Sequence, residues 1–146
     1  HKDWLKEIYS FAGKYRTVNL SKDNFQFASA YLIPNLMKAF EKDVLKKYTP
    51  CQFNHLDECA YAMSIVHVEF ILIHPFREGN GRTARLLAIL MALQAGYPPL
   101  DFSEIDQTIN ENGYHEYILS IHAGLEKNYQ SMTHIFRKII ESTLSF

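Results

Sequence analysis

The chain has 146 residues, 47% hydrophobic, 14% aromatic and 21% charged, with a net charge of −1 when its seven histidines are counted neutral. That is the length and composition of one soluble domain, 1–146, with enough chain to bury a core. Near-neutrality excludes a broad nucleic-acid footprint, and the longest apolar run, around Leu86 to Leu93, is far short of the ~20 residues a membrane span requires.

The N-terminus, HKDWLKEIYS, has no apolar signal-peptide core, so a cytoplasmic protein is expected. Opening on His1 rather than methionine, the chain is expected to be a piece of a longer one whose targeting signals lie elsewhere. Residues 2–12 read as a short amphipathic helix, with Trp4, Leu5, Ile8, Tyr9 and Phe11 on its apolar side and Gly13 as its stop. In RTVNLSKDNFQFA, Val18 and Leu20 alternate on one arm, Phe25 and Phe27 on the other, around the polar turn 21–24. That pattern predicts a β-hairpin, at about 16–28.

Leu32, Ile33, Leu36, Met37, Phe40, Val44 and Leu45 recur at helical spacing from Ala30 to Lys47, and Thr49-Pro50 ends that helix. Cys51 and Cys59 lack CxxC spacing and form no disulfide framework, as expected in a reducing compartment. Asn54 is the expected N-cap of the next helix, whose stripe runs Leu56, Cys59, Ala60, Met63, Val66, Phe70, Ile73. Pro75 disfavours helix at His74 and should end it there. Arg82 to Ala95 is apolar on almost every side, which predicts a helix at the centre of a bundle. Two further helices are expected over 103–126, with a break near Asn112-Gly113, and over 131–143. The fold class is therefore all-α with one small β-hairpin.

Between two of these helices lies HPFREGNGRTAR, residues 74–85. Gly79, Asn80, Gly81 and Arg82 open a helix, so their N–H groups lack intrahelical partners, and the glycines let an anion reach the backbone. Arg82 and Arg85 are three apart and share a helical face. Two guanidiniums beside that terminus suit two or more phosphates better than one carboxylate. Glu78 beside such a nest either bridges to phosphate through Mg²⁺ or forms an i,i+4 salt bridge with Arg82. His74 can serve as a general base near neutrality or as a satisfied core histidine. His67, two turns back, reads as a core histidine, and the other histidines show no zinc pattern. Phe76 reads as the anchor of the loop, while Arg77 and Thr83 read as exposed and without a role.

The twelve residues resemble the signature of Fic-domain enzymes, HxFx(D/E)GNGRxxR, with every fixed position filled. The likeness runs from about Phe11 to about Ala95. It implies a mainly helical fold and transfer of AMP from ATP to a hydroxyl of a target protein, with release of pyrophosphate. It also implies that His74 is the base, that Glu78 holds Mg²⁺, and that Gly79, Asn80 and Gly81 cradle the phosphates. Arg82 and Arg85 would grip the phosphate chain, Arg85 nearest the γ-phosphate.

The segment 13–34 resembles the family's flap, which implies docking of an extended target segment by strand addition. An inhibitory (S/T)xxxE(G/N) motif, whose glutamate would pair with Arg85, does not occur in the chain. An antitoxin-like partner protein, a lost segment or a different regulation would explain that. Arg85 is then expected to be open to ATP.

The alternative among enzymes is a relative that moves a phosphoryl group or another phosphate-linked moiety; the phosphoryl-transferring branch has lysine where Gly81 stands, which counts against phosphoryl transfer here. A catalytically silent binding module remains the alternative from another class. Asn112, Tyr114 and Tyr117 are candidates for the adenine pocket.

Overall fold

The computed structural model describes residues 1–145. Helices dominate, as expected. The chain order is α1 (Lys2–Leu5), β1 (Ser21–Lys22), β2 (Phe25–Gln26), α2 (Ile33–Ala39), α3 (Lys46–Tyr48), α4 (Leu56–Ile73), α5 (Asn80–Gln94), α6 (Glu111–Ala123) and α7 (Gln130–Leu144).

The N-terminal helix is one turn rather than three. Gly13, at φ +78°, turns the chain back on α1, so closely that a Cβ there would sit 2.6 Å from Lys2 Cβ. Its N–H donates to Nδ1 of His1 at 2.9 Å. A straight helix over 2–12 would hold its ends ~16 Å apart and could not close this way.

The hairpin is present, with a tighter turn than expected. Ser21 pairs with Gln26 and Lys22 with Phe25, which leaves only Asp23 and Asn24, both at positive φ, to turn the chain. Two left-handed residues make the turn whose twist suits a hairpin, and Asp and Asn tolerate that region best.

The helix expected over 30–47 is continuous in path but not in winding. A 3-10 turn, Ala30–Leu32, leads into α2, and a π segment, Phe40–Leu45, joins it to α3. Helix α4 begins on His55 rather than on Asn54.

Helix α4, not α5, occupies the centre. Cys59, Ala60, Ala62, Met63, Val66, His67, Val68 and Phe70 are all buried, which places buried side chains on every side of it. It packs between α5 and α7, with Phe136, Ile139 and Ile140 of α7 fully enclosed. Burying a side chain of that size stabilises by about 1.5–3 kcal/mol. Helix α5 turns Ala84, Ala88, Met91 and Ala92 inward and leaves Leu86, Leu90 and Leu93 about half exposed. Apolar residues all round had suggested burial all round. Instead the small residues set the close contact with α4, and the leucines at i, i+4 and i+7 form an outer stripe.

The predicted break in the next helix lies earlier than Asn112. Asn110 caps α6, its side chain accepting from the Gly113 N–H at 2.9 Å, so Gly113 sits inside the first turn. Past α6, Gly124 passes against α4, where a Cβ would collide with the Val68 side chain. Among the described residues no helix is long and apolar enough to cross a membrane.

Candidate active site

Helix α4 ends at His74, which adopts the left-handed conformation with φ 51° and ψ 60°. Pro75 behind it explains the stop, and the left-handed turn throws the imidazole sideways, off the axis of α4. The ring stacks on Phe27 at the base of the flap, with centroids 3.7 Å apart. Its Nδ1 lies 3.2 Å from the Ile71 carbonyl. A carbonyl only accepts, so Nδ1 carries the proton and Nε2 of the neutral ring keeps its lone pair. Burial pushes the His74 pKa down to about 4, with the positive charges of Arg16 and Lys22 acting the same way and Glu78 opposing them.

The loop from 75 to 79 is held by Asn80. Its Oδ1 accepts from the Phe76 N–H at 2.9 Å, and its Nδ2 donates to the Phe76 carbonyl at 2.7 Å. The side chain is buried and fully occupied. The expected phosphate contact is therefore not made by this side chain, which shapes the loop instead. Pro75 is the enclosed plug, whereas Phe76 is half-buried and stacks on His1, 3.7 Å between centroids. Thr83 is no idle surface residue, since its hydroxyl donates to the Gly79 carbonyl at 2.8 Å and tightens the first turn of α5. Arg77, exposed, lies over the Phe11 ring.

Helix α5 starts after Gly79, at φ +83°, and no side chain caps it. The first N–H groups of the helix, from Asn80, Gly81 and Arg82, are thus left to solvent or ligand. At Gly81 a Cβ would meet nothing within 4 Å, so open space adjoins the backbone. A hollow of about 200 Å³ lies here, bordered by His74, Glu78, Gly79, Gly81, Arg82 and Arg85.

Beside it is a larger cleft of about 510 Å³, which shares His74, Glu78, Gly81 and Arg85 and reaches the flap residues Lys22, Phe25 and Phe27. Lys22 Nζ lies 3.3 Å from the Tyr114 hydroxyl, and Phe25 stacks on His122, so the flap leans on α6. Tyr114 and Tyr117 line this cleft. Asn112 lines a different hollow, next to Glu104 and Lys138.

The two arginines differ. Arg82 is exposed, sits over the Trp4 ring at 4.8 Å, and pairs with Glu78 at 3.4 Å. Arg85 borders both hollows and forms no ion pair among the described residues. Glu78 therefore shows its salt-bridge role, with Oε1 also accepting from the Gly79 N–H at 3.1 Å. Among the described residues no cluster of three metal-ligating side chains exists. One carboxylate suits Mg²⁺ only where phosphate oxygens and water complete the shell.

His67 is a core histidine, its Nε2 2.9 Å from the Tyr117 hydroxyl. Burial lowers its pKa to about 4 and raises that of Tyr117.

An imidazole, an uncapped glycine-rich helix start and an arginine with no ion pair among the described residues thus meet at one cleft. The model of the Fic/DOC family matches residues 1–92. The chain belongs to the Fic/DOC family. It is 30% identical over 109 residues to protein adenylyltransferase VbhT of Bartonella schoenbuchensis, covering 73% of this chain and 22% of that protein. It is 36% identical over 90 residues to protein adenylyltransferase fic-1 of Caenorhabditis briggsae, covering 61% of this chain and 17% of that protein. The chain thus spans about a fifth of the length of these curated relatives. A crystal structure of BepC from Bartonella tribocorum with bound AMPPNP has the same fold, with a TM-score of 0.67 at 22% identity, covering 90% of this chain and 66% of that one.

The motif residues lie at the junction of α4 and α5. Arg16 was missed. A buried arginine reads like any surface arginine in sequence, and only its position in RTVNLS, at the foot of the hairpin, hinted at more.

Proposed function

We propose that this domain is the catalytic part of a protein adenylyltransferase, moving AMP from ATP to a hydroxyl of a target protein. The observation that carries it is the placement of His74: its Nδ1 lies 3.2 Å from the Ile71 carbonyl, which leaves Nε2 as the nitrogen able to accept a proton, and the residue lines the same cleft as Arg85 and Gly81. Transfer of an adenylyl group, for which the curated relatives are named, requires attack at the α-phosphorus.

The target hydroxyl oxygen bonds to the α-phosphorus as its proton passes to His74 Nε2. The bond from the α-phosphorus to the bridging oxygen breaks, and pyrophosphate leaves. The N–H groups at the start of α5 and the guanidinium of Arg85 face the charge that develops on the phosphate oxygens. Arg82 joins them by leaving Glu78. Glu78 would hold Mg²⁺ together with phosphate oxygens, and the ion would offset phosphate charge. Asn80 serves by keeping the loop in shape, and Gly79 by making its left-handed turn.

A target segment adds as a strand along the edge of the two-stranded flap, which has no third strand among the described residues. An antitoxin-like protein that offers a carboxylate to Arg85 would silence the domain. Both cysteines are free and buried, which suits a reducing compartment such as the cytoplasm.

The test is mass spectrometry of a target after incubation with ATP, beside His74→Ala. The expected result is an added AMP, with transfer lowered about 100- to 10,000-fold in the variant while ATP affinity and fold persist. A target that gains phosphate alone, or a variant of undiminished activity, overturns the proposal.

A further inference from the structure

Arg16 lies outside the motif and is only 2% exposed. Its guanidinium meets no carboxylate among the described residues. Nε donates to the His74 carbonyl at 2.6 Å, Nη1 to Val18 at 2.8 Å, and Nη2 to Ala28 at 2.5 Å and Ile73 at 3.1 Å. Its backbone N–H donates to Pro75 at 2.8 Å. Ile73 and His74 belong to the end of α4, where the last carbonyls lack intrahelical donors. Val18 and Ala28 lie where the chain enters and leaves the hairpin. One side chain thus ties three segments together.

Burying a cation without an anion is costly, so the donors it supplies must offset that cost. A lysine ammonium could not replace it, because three donors on one atom do not span carbonyls that a planar fork reaches. The left-handed backbone at His74 is a conformation non-glycine residues adopt only when the surroundings impose it. The bond from Arg16 Nε to that residue's own carbonyl is one of those impositions.

The geometry points to Arg16 as a positioning residue: it locks both feet of the flap to the helix end that carries His74, so base and target-binding edge keep one fixed relation. This rests on the reading of His74 as the base. Arg16 touches no part of the phosphate nest at the start of α5, so ATP binding should not depend on it.

The experiment compares Arg16→Gln, which removes the charge, with Arg16→Lys, which keeps it but loses the fork. Circular dichroism and calorimetric ATP affinity check that each variant is folded. Expected in both is a fall in kcat of about 100-fold, the cost of a misplaced group, with KM for ATP within about threefold of wild type. The ring of His74, titrated by NMR, faces charge from Arg16, Lys22 and Glu78. Its midpoint should rise in Arg16→Gln and stay low in Arg16→Lys, a difference that mere loss of stability would not produce.

Folded variants that keep kcat, that lose kcat and ATP binding in parallel, or that leave the His74 midpoint unmoved in Arg16→Gln overturn the proposal. If neither variant folds, the wild-type Arg16 Nε–H decides. Slow exchange with solvent supports the grip, and exchange as fast as in a free arginine overturns it. A wild-type protein that transfers no AMP would sink the adenylyltransferase reading instead, and the His74 titration would still test the lock.

Discussion

Two glycines two residues apart do different work. Gly79 holds φ +83°, and a Cβ there would lie 3.0 Å from Leu5 Cδ1. Gly79→Ala should therefore cost about 1–3 kcal/mol of stability from backbone strain, measured by urea unfolding. Gly81 has ordinary helical backbone and open space where its Cβ would go. Gly81→Ala should fold as well as wild type yet bind ATP more weakly, because the methyl occupies the approach to the N–H groups. Equal loss of stability in both variants would contradict this division. The placement of the candidate site residues was largely legible, since Pro75 ends a helix at His74 and residue type and spacing put Arg82 and Arg85 on one face at the start of the next. The inward turn of Asn80 and the burial of Arg16 were not, because each depends on which carbonyls the fold brings near.

At the scale of elements, length and periodicity located every major helix, but not which one sits inside. Burial depends on the packing partners of each face, and α5 has such a partner only on its alanine side. Met63→Ala in α4 should then cost about 2–5 kcal/mol. Leu90→Glu on the outer stripe of α5 should stay within about 0.5 kcal/mol of wild type. Denaturant midpoints of the two variants measure this directly, and a large loss for Leu90→Glu would place α5 back in the core. Element ends were less legible where tertiary contact decides them: α1 stops early because Gly13 folds onto Lys2, and the hairpin turn tightens because Asp23 and Asn24 accept positive φ.

For the whole molecule, a buried histidine, His67, and a half-buried one, His74, couple folding to pH. Burial lowers both His67 and His74 to about 4. Between the ordinary histidine value near 6.5 and about 4, the unfolded chain binds protons at these rings and the folded one does not. Stability therefore rises with pH across that window, and it is lost as pH falls from about 6.5 towards 4. Unfolding curves recorded at steps through the window should show a progressive fall in Tm. A flat profile would mean that both rings are solvated.

Trp4 is the only tryptophan in the chain, and the guanidinium that covers its ring belongs to Arg82, at the mouth of the phosphate nest. The molecule thus carries its own optical reporter. If Arg82 leaves the indole for a phosphate, emission excited at the red edge of absorption should change in intensity and wavelength with ATP, without any label. Titration with nucleotide would trace that movement, and in Arg82→Ala the signal should be silent while binding through Arg85 continues.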